Sequence, residues 1–291
     1  MMPYVGKVYR PPSEARSLIL QATTGCPYNR CNFCSMYSDK DFTIKSLAGF
    51  KEHLQTVKQF HSGSVESIFL ADGNTIIIKS EQLLEFLKLI REEFPEVERI
   101  TSYGSARYVN KKSAEELKSF EEAGLTRIHT GMESGDKDTL DLINKGTTPE
   151  EIIAAGKKVK QAGIELSQYY LVAVSGQKLS EQHAINSARV LNEFDPDFIR
   201  LRTFIPIPGT KLHDLCQKGD FELLNGHQAL EETRLLIENL DVSSTLLSDH
   251  ISNHWDINGK LPDDKNEMLA EIDKAVKIDI SQFRDPAQGH L

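Results

Sequence analysis

Short apolar runs alternate with segments of helical periodicity through the first 210 residues of the chain. This alternation is typical of a parallel sheet, because parallel strands need a crossover connection that is usually a helix. We therefore predict an α/β fold, a partial (β/α)6 TIM-like barrel with right-handed crossovers, over residues 17–210. The predicted strands are Leu18–Ala22, Ser67–Ala71, Arg99–Tyr103, Thr126–Thr130, Glu165–Val174 and Phe198–Phe204.

Capping residues mark several helix starts between these strands. Ser80 precedes one helix, and Ser113 with Glu116 has the spacing of a capping box, in which two side chains satisfy backbone N–H groups at the helix N-terminus. The helix after the first strand is predicted from an apolar face with helical spacing, formed by Leu47, Phe50, Leu54 and Val57. The helix after the second strand has a similar face, formed by Leu83, Leu84, Leu87 and Ile90.

The pattern changes after about residue 210. Two helices are predicted there, Gln228–Leu240 and Lys265–Val276, separated by the polar loop Ser244–Pro262. Residues 211–291 are therefore predicted to form a C-terminal helical extension, with residues from Lys277 onward as a weakly ordered tail.

Three of the four cysteines, Cys26, Cys31 and Cys34, follow the first predicted strand within nine residues. Strand ends are where α/β proteins place their ligands. Three thiolates on one loop can hold three corners of an iron–sulfur cluster, because soft sulfur donors suit iron. No fourth ligand is close in sequence, so one iron would stay open to an outside ligand. An open position indicates a catalytic rather than a purely structural metal site.

A zinc site is the alternative for this loop. Cysteine pairs with C-x2-C spacing, such as Cys31 and Cys34, are common in zinc sites. A distant residue such as Cys216 or His53 would then supply the fourth ligand. Motifs further along the chain favour the iron–sulfur cluster.

The cysteine loop, including Phe33 before its last cysteine, resembles the cluster loop of the radical S-adenosylmethionine (radical SAM) superfamily. The spacing here is C-x4-C-x2-C, one residue longer than the C-x3-C-x2-C that is common in that superfamily. The run Gly131–Gly135 followed by Leu142–Gly146 is similar to the G-x-E-S-G segment of anaerobic coproporphyrinogen oxidases and methylthiotransferases. Pro206–Thr210 also resembles that group, and the resemblance covers roughly residues 17–215.

The resemblance implies an activity and its cofactors. Such enzymes bind a [4Fe–4S] cluster, receive an electron from a donor such as flavodoxin or ferredoxin, and reductively cleave SAM to methionine and a 5′-deoxyadenosyl radical. The radical abstracts hydrogen from a substrate, and the protein supplies position, charge and exclusion of water. We expect a small polar substrate for this chain.

The resemblance also implies site residues. Cys26, Cys31 and Cys34 would ligate the cluster, and Phe33 would shield it or approach the adenine of SAM. The turn Asp72-Gly73-Asn74 matches a Gly-Gly-Glu-like turn, so we expect Asp72 to accept from the SAM amino group, with Asn74 close behind.

Glu133 and Ser134 would face the ribose hydroxyls of SAM. For these strand-end residues the plainer interpretation is structural: a turn at Asp72-Gly73, because Asp and Gly favour turns, and a solvated or helix-capping carboxylate at Glu133.

A SAM carboxylate needs a cation, and guanidinium matches carboxylate in a bidentate fork. The candidates are Arg107 after the third predicted strand and Arg200 or Arg202 on the sixth. Because Arg200 and Arg202 are two apart, they should share one face of their strand.

The polar loop Ser244–Pro262 is a candidate lid over the substrate. A six-stranded barrel without closing strands would leave its mouth open, and a radical must be protected from water. His250, His254 and Trp255 could present polar and stacking groups to a substrate. The alternative is a surface linker that Trp255 anchors to the core.

Charge and composition limit the possible partners and locations. The net charge is −9 with a pI near 5.5, so broad binding to nucleic acid is unfavourable and an RNA-modifying radical SAM enzyme is the disfavoured alternative. A non-catalytic iron–sulfur, SAM-binding or haem-handling protein is the alternative from another class. No apolar stretch reaches roughly 18 residues, the start of the chain is polar and the cysteines do not suggest disulfides, so we expect a cytoplasmic protein without a membrane segment.

Overall fold

The computed structural model describes residues 4–285 and shows a mixed α/β fold with a mostly parallel sheet, as predicted. The sheet has eight strands, two more than the six predicted. Two compact units can be distinguished. The first comprises Met1–Asn29, Met36–Thr130 and Lys158–Leu166, and the second comprises Arg30–Ser35, Gly131–Lys157 and Ser167–Leu291. None of the helices between residues 4 and 285 combines the length and the apolar character that crossing a bilayer requires.

The first unit holds the N-terminal part of the sheet, with parallel strands in the order β1, β4, β5, β6. A separate antiparallel pair, β2 and β3, flanks the segment that contains Cys26. The elements are β1 Leu18–Leu20, β2 Thr23–Thr24, β3 Thr43–Ile44, α1 Leu47–Phe60, β4 Ser67–Leu70, α2 Ser80–Glu93, β5 Arg99–Gly104, α3 Ala106–Val109, α4 Ala114–Glu122 and most of β6 Leu125–Glu133.

Helices α1 and α2 cover this part of the sheet with their apolar faces. Phe50 of α1 stacks on Phe86 of α2 with ring centroids 4.1 Å apart, and both side chains are fully buried. Leu47, which we placed on the buried face of α1, is 44% exposed because it lies in the first turn, so that part of the prediction is wrong. The capping box at the start of α4 is confirmed, with Ser113 and Glu116 bonded reciprocally to backbone N–H groups. The predicted cap at Ser80 is wrong, because Ser80 is the first residue of α2 and the N-cap residue is Lys79, which makes no side-chain cap.

The second unit contains strands β7, β8, β9 and β10, which neighbour one another in that order. Strands β7, β8 and β9 are parallel, and β10 is antiparallel to β9. Its elements are α5 Lys137–Leu142, most of α6 Pro149–Gln161, most of β7 Glu165–Val172, α7 Ser180–Asn192, β8 Phe198–Thr203, α8 Lys211–Lys218, α9 Gly226–Asn239, β9 Thr245–Leu247, β10 Gly259–Lys260 and α10 Lys265–Ala275.

The C-terminal extension corrects one prediction. Helices α9 and α10 agree with the predicted helices to within two residues at each end. The intervening segment Ser244–Pro262, expected to be a loop, contains β9 and β10, and β9 pairs with β8 from Phe198↔Thr245 onward. The sheet therefore continues beyond the sixth predicted strand, because the short apolar run Thr245–Leu247 finds an edge to pair with.

The predicted tail is ordered as far as the structure describes it. Ile280–Gln282 forms a short 3₁₀ helix, and Arg284 makes an ion pair with Asp256 at 2.8 Å. Phe283 packs against Trp255 with ring centroids 5.4 Å apart. The tail up to residue 285 is thus held by contacts that the sequence pattern did not reveal, and residues 286–291 of the predicted extension lie outside the described residues.

Candidate cluster and SAM site

The turn after β4 holds the start of the cysteine loop in the first unit. Gly73 N donates to Gly25 O at 2.9 Å, and Gly25 N donates to Asp72 Oδ2 at 3.2 Å. A Cβ atom on Gly73 would lie 2.7 Å from the Cα of Cys26, which no real Cβ tolerates against backbone. Glycine is therefore required at position 73 so that the turn can approach Cys26 this closely.

Asp72 is fully buried and its carboxylate is occupied by neighbours within the first unit. Besides Gly25 N, it accepts from Gln21 Nε2 at 3.0 Å and lies 3.3 Å from Lys40 Nζ. Burial raises the pKa of Asp72, while Lys40 and the hydrogen bonds oppose the shift. We expected this carboxylate to contact the SAM amino group, but these contacts make it a structural group that fixes the cysteine loop.

Asn74 has an unused acceptor. Its side chain is 1% exposed, and its Nδ2 donates to Ser105 Oγ at 2.8 Å. Its Oδ1 is buried and has no hydrogen-bond partner in residues 4–285. A buried carbonyl without a donor is costly, so this oxygen suits an ammonium group brought by a ligand.

Arg107 lies in the same unit, in α3, two residues after Ser105. Its guanidinium stacks over the ring of Tyr28, which is in the cysteine loop, with 4.6 Å to the ring centroid. The side chain is partly exposed, so it can offer N–H groups to an anion.

In the second unit, the remainder of the cysteine loop is hydrogen-bonded to the end of α5. Asn32 N donates to Ile143 O at 2.8 Å, and Asn32 Nδ2 donates to Leu142 O at 2.7 Å. Asn144 Nδ2 in turn donates to Arg30 O at 2.7 Å. These three bonds fix residues 30–32 and thereby orient Cys31, which lies among them, and Cys34, which follows.

Lys145 is a site residue that our sequence interpretation did not single out. Its Nζ lies 2.9 Å from Glu133 Oε1 and 5.8 Å from the ring centroid of Phe33. Burial alone would lower the pKa of Lys145, but Glu133, Cys31 and Cys34 raise it. The lysine is therefore a fixed positive charge beside two of the three thiols. The sequence signal was its place in the Leu142–Gly146 motif.

Glu133 ends β6 and remains partly accessible. Its side chain is 15% exposed and forms an ion pair with Lys145. Its backbone has a φ of 63°, a conformation that non-glycine residues adopt at a cost and that clusters at functional sites. The position fits the predicted contact with a polar ligand.

Ser134, in contrast, is fully buried. Its Oγ lies 2.8 Å from His183 Nδ1 and accepts from Asp136 N at 2.9 Å. His183 is itself buried, which lowers its pKa, and lies 3.6 Å from Glu232. We expected Ser134 to face the ribose of SAM, but its hydroxyl is used to fix the turn after β6 against α7.

The two candidate arginines of β8 share one face, as predicted. Arg200 pairs in register with Tyr169, and Arg202 with Leu171. Arg200 is 5% exposed and donates from Nε to Ser167 Oγ at 3.2 Å. The guanidinium of Arg202 lies 5.0 Å from the ring centroid of Tyr169.

The three candidate lid residues have different surroundings. Trp255 Nε1 donates to Glu271 Oε1 at 3.2 Å, and its ring packs on Phe283, so its contacts are those of an anchor. His254 also contacts Phe283, at 6.4 Å between ring centroids. His250 differs because burial and the positive charges of Arg202 and Arg284 lower its pKa to about 4.

The residues present fit an iron–sulfur cluster by their donor chemistry. Within residues 4–285 no three His, Cys, Asp or Glu side chains form a ready-made site for one metal ion. The fourth zinc ligands that we considered are unfavourable: His53 Nε2 accepts from Gln21 N at 3.0 Å, and burial raises the pKa of the Cys216 thiol. Three thiols with Lys145 nearby instead suit an anionic cluster with one open iron.

The chain can now be placed among known proteins. The profile of the radical SAM superfamily matches residues 20–188, more than half of the chain. The chain therefore belongs to the radical SAM superfamily, whose enzymes use a [4Fe–4S] cluster and SAM.

Individual relatives are more distant. The heme chaperone HemW of Bacillus subtilis is 23% identical over 193 residues, covering 66% of this chain and 50% of that protein. The tRNA uridine(34) acetyltransferase of Methanocaldococcus infernus is 24% identical over 120 residues, covering 41% of this chain and 22% of that protein. The chain thus spans half or less of the length of these two curated relatives.

Among solved structures, coproporphyrinogen III oxidase (HemN) from Escherichia coli, described as a radical SAM enzyme, aligns with a TM-score of 0.56 at 17% identity. The alignment covers 76% of this chain and 51% of that one. This structural similarity supports the α/β fold described above.

Proposed function

We propose that this chain cleaves SAM reductively and directs the resulting 5′-deoxyadenosyl radical to a hydrogen atom of a small polar substrate. The observation that carries the proposal is the fixed cysteine loop, whose residues 30–32 are hydrogen-bonded to the end of α5, with Lys145 beside Cys31 and Cys34. When bound, the cluster and SAM supply the electron transfer and the radical chemistry.

The cysteine loop would hold the cluster through Cys26, Cys31 and Cys34. Lys145 balances part of the negative charge that the thiolates bring, which is one way a protein sets the properties of such a cluster. Phe33, next to Lys145, would shield the cluster side of the loop from water. An electron donor such as flavodoxin or ferredoxin would supply the electron.

Asn74 and Glu133 would orient SAM. The unpartnered Oδ1 of Asn74 would accept from the SAM amino group, a contact that we first assigned to Asp72. Glu133 would accept from ribose hydroxyls, because its carboxylate is partly accessible although paired with Lys145. Arg107, in the same unit as Asn74, would bind the SAM carboxylate through its guanidinium fork.

The test is a turnover assay with anaerobically reconstituted protein, SAM and a reductant. We expect about four irons per chain, a brown colour and formation of 5′-deoxyadenosine. Replacing Cys26, Cys31 or Cys34 by Ala should abolish all three, whereas Cys216→Ala is the matched control and should retain them. Stoichiometric zinc without iron, or iron loading without any 5′-deoxyadenosine, would contradict the proposal.

A second candidate function is RNA modification, favoured by the likeness to a tRNA uridine(34) acetyltransferase. The net charge of −9 opposes it, because RNA binding depends on cationic contacts to phosphates. Electrophoretic mobility of tRNA with the reconstituted protein at low salt distinguishes the two: a shift that disappears with rising salt would favour RNA as the substrate.

A further inference from the structure

Two arginines, Arg200 and Arg202, lie on one face of β8. Arg200 and Arg202 both lack an acidic side chain within ion-pair distance among residues 4–285. Arg200 is 5% exposed, and the Nε of Arg202 is buried without a hydrogen-bond partner in that part of the chain. One buried and one partly exposed arginine therefore place positive charge on this face of β8.

Their neighbours are polar or aromatic but neutral. Arg200 donates to the hydroxyl of Ser167 and lies 5.8 Å from the ring centroid of Phe198. Arg202 lies over the ring of Tyr169. Aromatic faces stabilise a guanidinium only weakly and leave its N–H groups in the ring plane available, so these contacts orient the forks without neutralising them.

Several other basic side chains of low exposure are paired with a carboxylate. Arg127 lies 2.8 Å from Glu165, Lys40 lies 3.3 Å from Asp72, and Lys145 lies 2.9 Å from Glu133. Pairing is the rule because an uncompensated buried charge is costly. Lys112, 8% exposed, instead donates to Ile78 O and Ser80 Oγ. Among residues 4–285, Arg200 donates to Ser167 Oγ and the Nε of Arg202 has no acceptor, so an anion from outside the chain can bind both arginines.

The position of the arginines also suits a ligand. Arg202 is the last residue but one of β8, and the carboxyl ends of parallel strands are where α/β proteins bind substrates. His250, from the segment before β10, shares the environment of Arg202, whose charge contributes to the low pKa of the imidazole. At neutral pH this histidine is uncharged, and its Nδ1 lies 2.8 Å from Ser252 Oγ.

We propose that Arg200 and Arg202 bind an anionic oxygen group, a carboxylate or a phosphate, of the substrate. The proposal rests on the function proposed above and narrows its small polar substrate to an anion. The N–H groups of both guanidiniums would donate hydrogen bonds to the anionic group. These bonds would hold the rest of the substrate in one orientation relative to β8. SAM also carries a carboxylate, so the experiment must separate the two ligands.

The first measurement is thermal unfolding of the anaerobically purified, cluster-loaded protein without added anion. Arg202 is partly exposed and has no acidic partner among residues 4–285, so Arg202→Met should leave the melting temperature unchanged or raise it by up to about 3 °C. The matched control is Arg127→Met, which leaves Glu165 without its partner and should lower the melting temperature. If Arg202→Met destabilises the protein as much as Arg127→Met does, Arg202 has a structural role and the proposal is wrong.

The second measurement adds anions at constant ionic strength, with chloride as the reference. Succinate is the carboxylate probe and inorganic phosphate is the phosphate probe, and the one that raises the melting temperature of the wild type identifies the group. The rise should disappear in Arg200→Met and Arg202→Met and persist in Arg127→Met. No rise with either probe, or a rise that both β8 variants retain, overturns the proposal.

The remaining alternative is that the two arginines bind the carboxylate of SAM, and a calorimetric titration with SAM tests it. If Arg200→Met and Arg202→Met weaken SAM binding at least tenfold while the response to succinate or phosphate is unchanged, the arginines serve the cofactor and the proposal is wrong. The anion measurements need neither SAM nor reductant. Their failure would therefore leave the 5′-deoxyadenosine assay untouched, and failure of that assay would leave the anion site standing.

Discussion

Asp72 in the first unit and Glu133 in the second are alike in sequence terms and different in structure. Each carboxylate stands at the end of a strand, has a left-handed backbone with φ of 70° and 63°, and pairs with a lysine. Asp72 is fully buried and accepts from Gln21, Gly25 and Lys40, whereas Glu133 is 15% exposed and pairs with Lys145.

The difference shows that a strand-end acid is not by itself a ligand-binding acid. The oxygens of Asp72 are used to hold the cysteine loop, and burial raises its pKa, so binding a further cation there would require breaking existing contacts. Glu133 can still accept a hydrogen bond from a ligand.

Asp72→Asn should have the largest effect, a decrease in the free energy of unfolding. The change leaves the Lys40 ammonium, whose side chain is 3% exposed, without a counter-charge, which typically costs about 3–5 kcal/mol. We expect the free energy of unfolding in urea to fall accordingly, and iron loading to fall with it. The double variant Lys40→Met/Asp72→Asn should recover part of the loss. Normal stability with weakened SAM binding would instead make Asp72 a cofactor ligand.

Glu133→Gln should mainly affect SAM. A hydrogen bond to a charged acceptor contributes roughly 1.5–3 kcal/mol, so the dissociation constant of SAM should rise about tenfold or more while the cluster is retained. Calorimetric titration of reconstituted protein measures this. Asp138→Asn, an exposed carboxylate in the same unit, is the control and should leave SAM affinity unchanged. If the wild type, Glu133→Gln and Asp138→Asn bind SAM with equal affinity, Glu133 does not contact SAM.

Lys145→Met should shift the reduction potential of the cluster. Loss of a fixed positive charge near Cys31 and Cys34 disfavours the reduced cluster, so the midpoint should fall by roughly 50 mV. Electron paramagnetic resonance during a redox titration reports the potential directly. Lys145→Arg keeps the charge and should keep the wild-type potential. If Lys145→Met has the same reduction potential as the wild type, Lys145 serves only to position Glu133.

A further effect concerns the pH dependence of stability and His250. Its pKa of about 4 in the folded protein lies below the usual value of 6.5, because of burial and the charges of Arg202 and Arg284. The neutral ring is therefore favoured by folding, so this contribution to stability is complete above pH 6.5 and is lost as the pH falls towards 4. His250→Gln should flatten the urea stability profile in that range. A His250 resonance that titrates near 6.5 would contradict this account.

Local patterns in the sequence determined much of the fold. The capping box at Ser113, the apolar face of α1 from Phe50 onward, and the bounds of α9 and α10 depend on residues close together in the chain, so periodicity and capping revealed them. The spacing of the three cysteines, with the motif at Gly131–Gly135, was likewise sufficient to indicate the radical SAM superfamily, which the profile match then established.

Which polar groups already have a hydrogen-bond or ion-pair partner within the protein depends on the tertiary structure. The hydroxyl of Ser134 is bonded to His183, 49 residues away, and β9 joins the sheet because β8 offers it an edge. Arg200 and Arg202 have the same spacing whether or not an acid faces them from another strand. Hydrogen bonding and charge compensation depend on neighbours that are distant in sequence, and no local pattern encodes those neighbours.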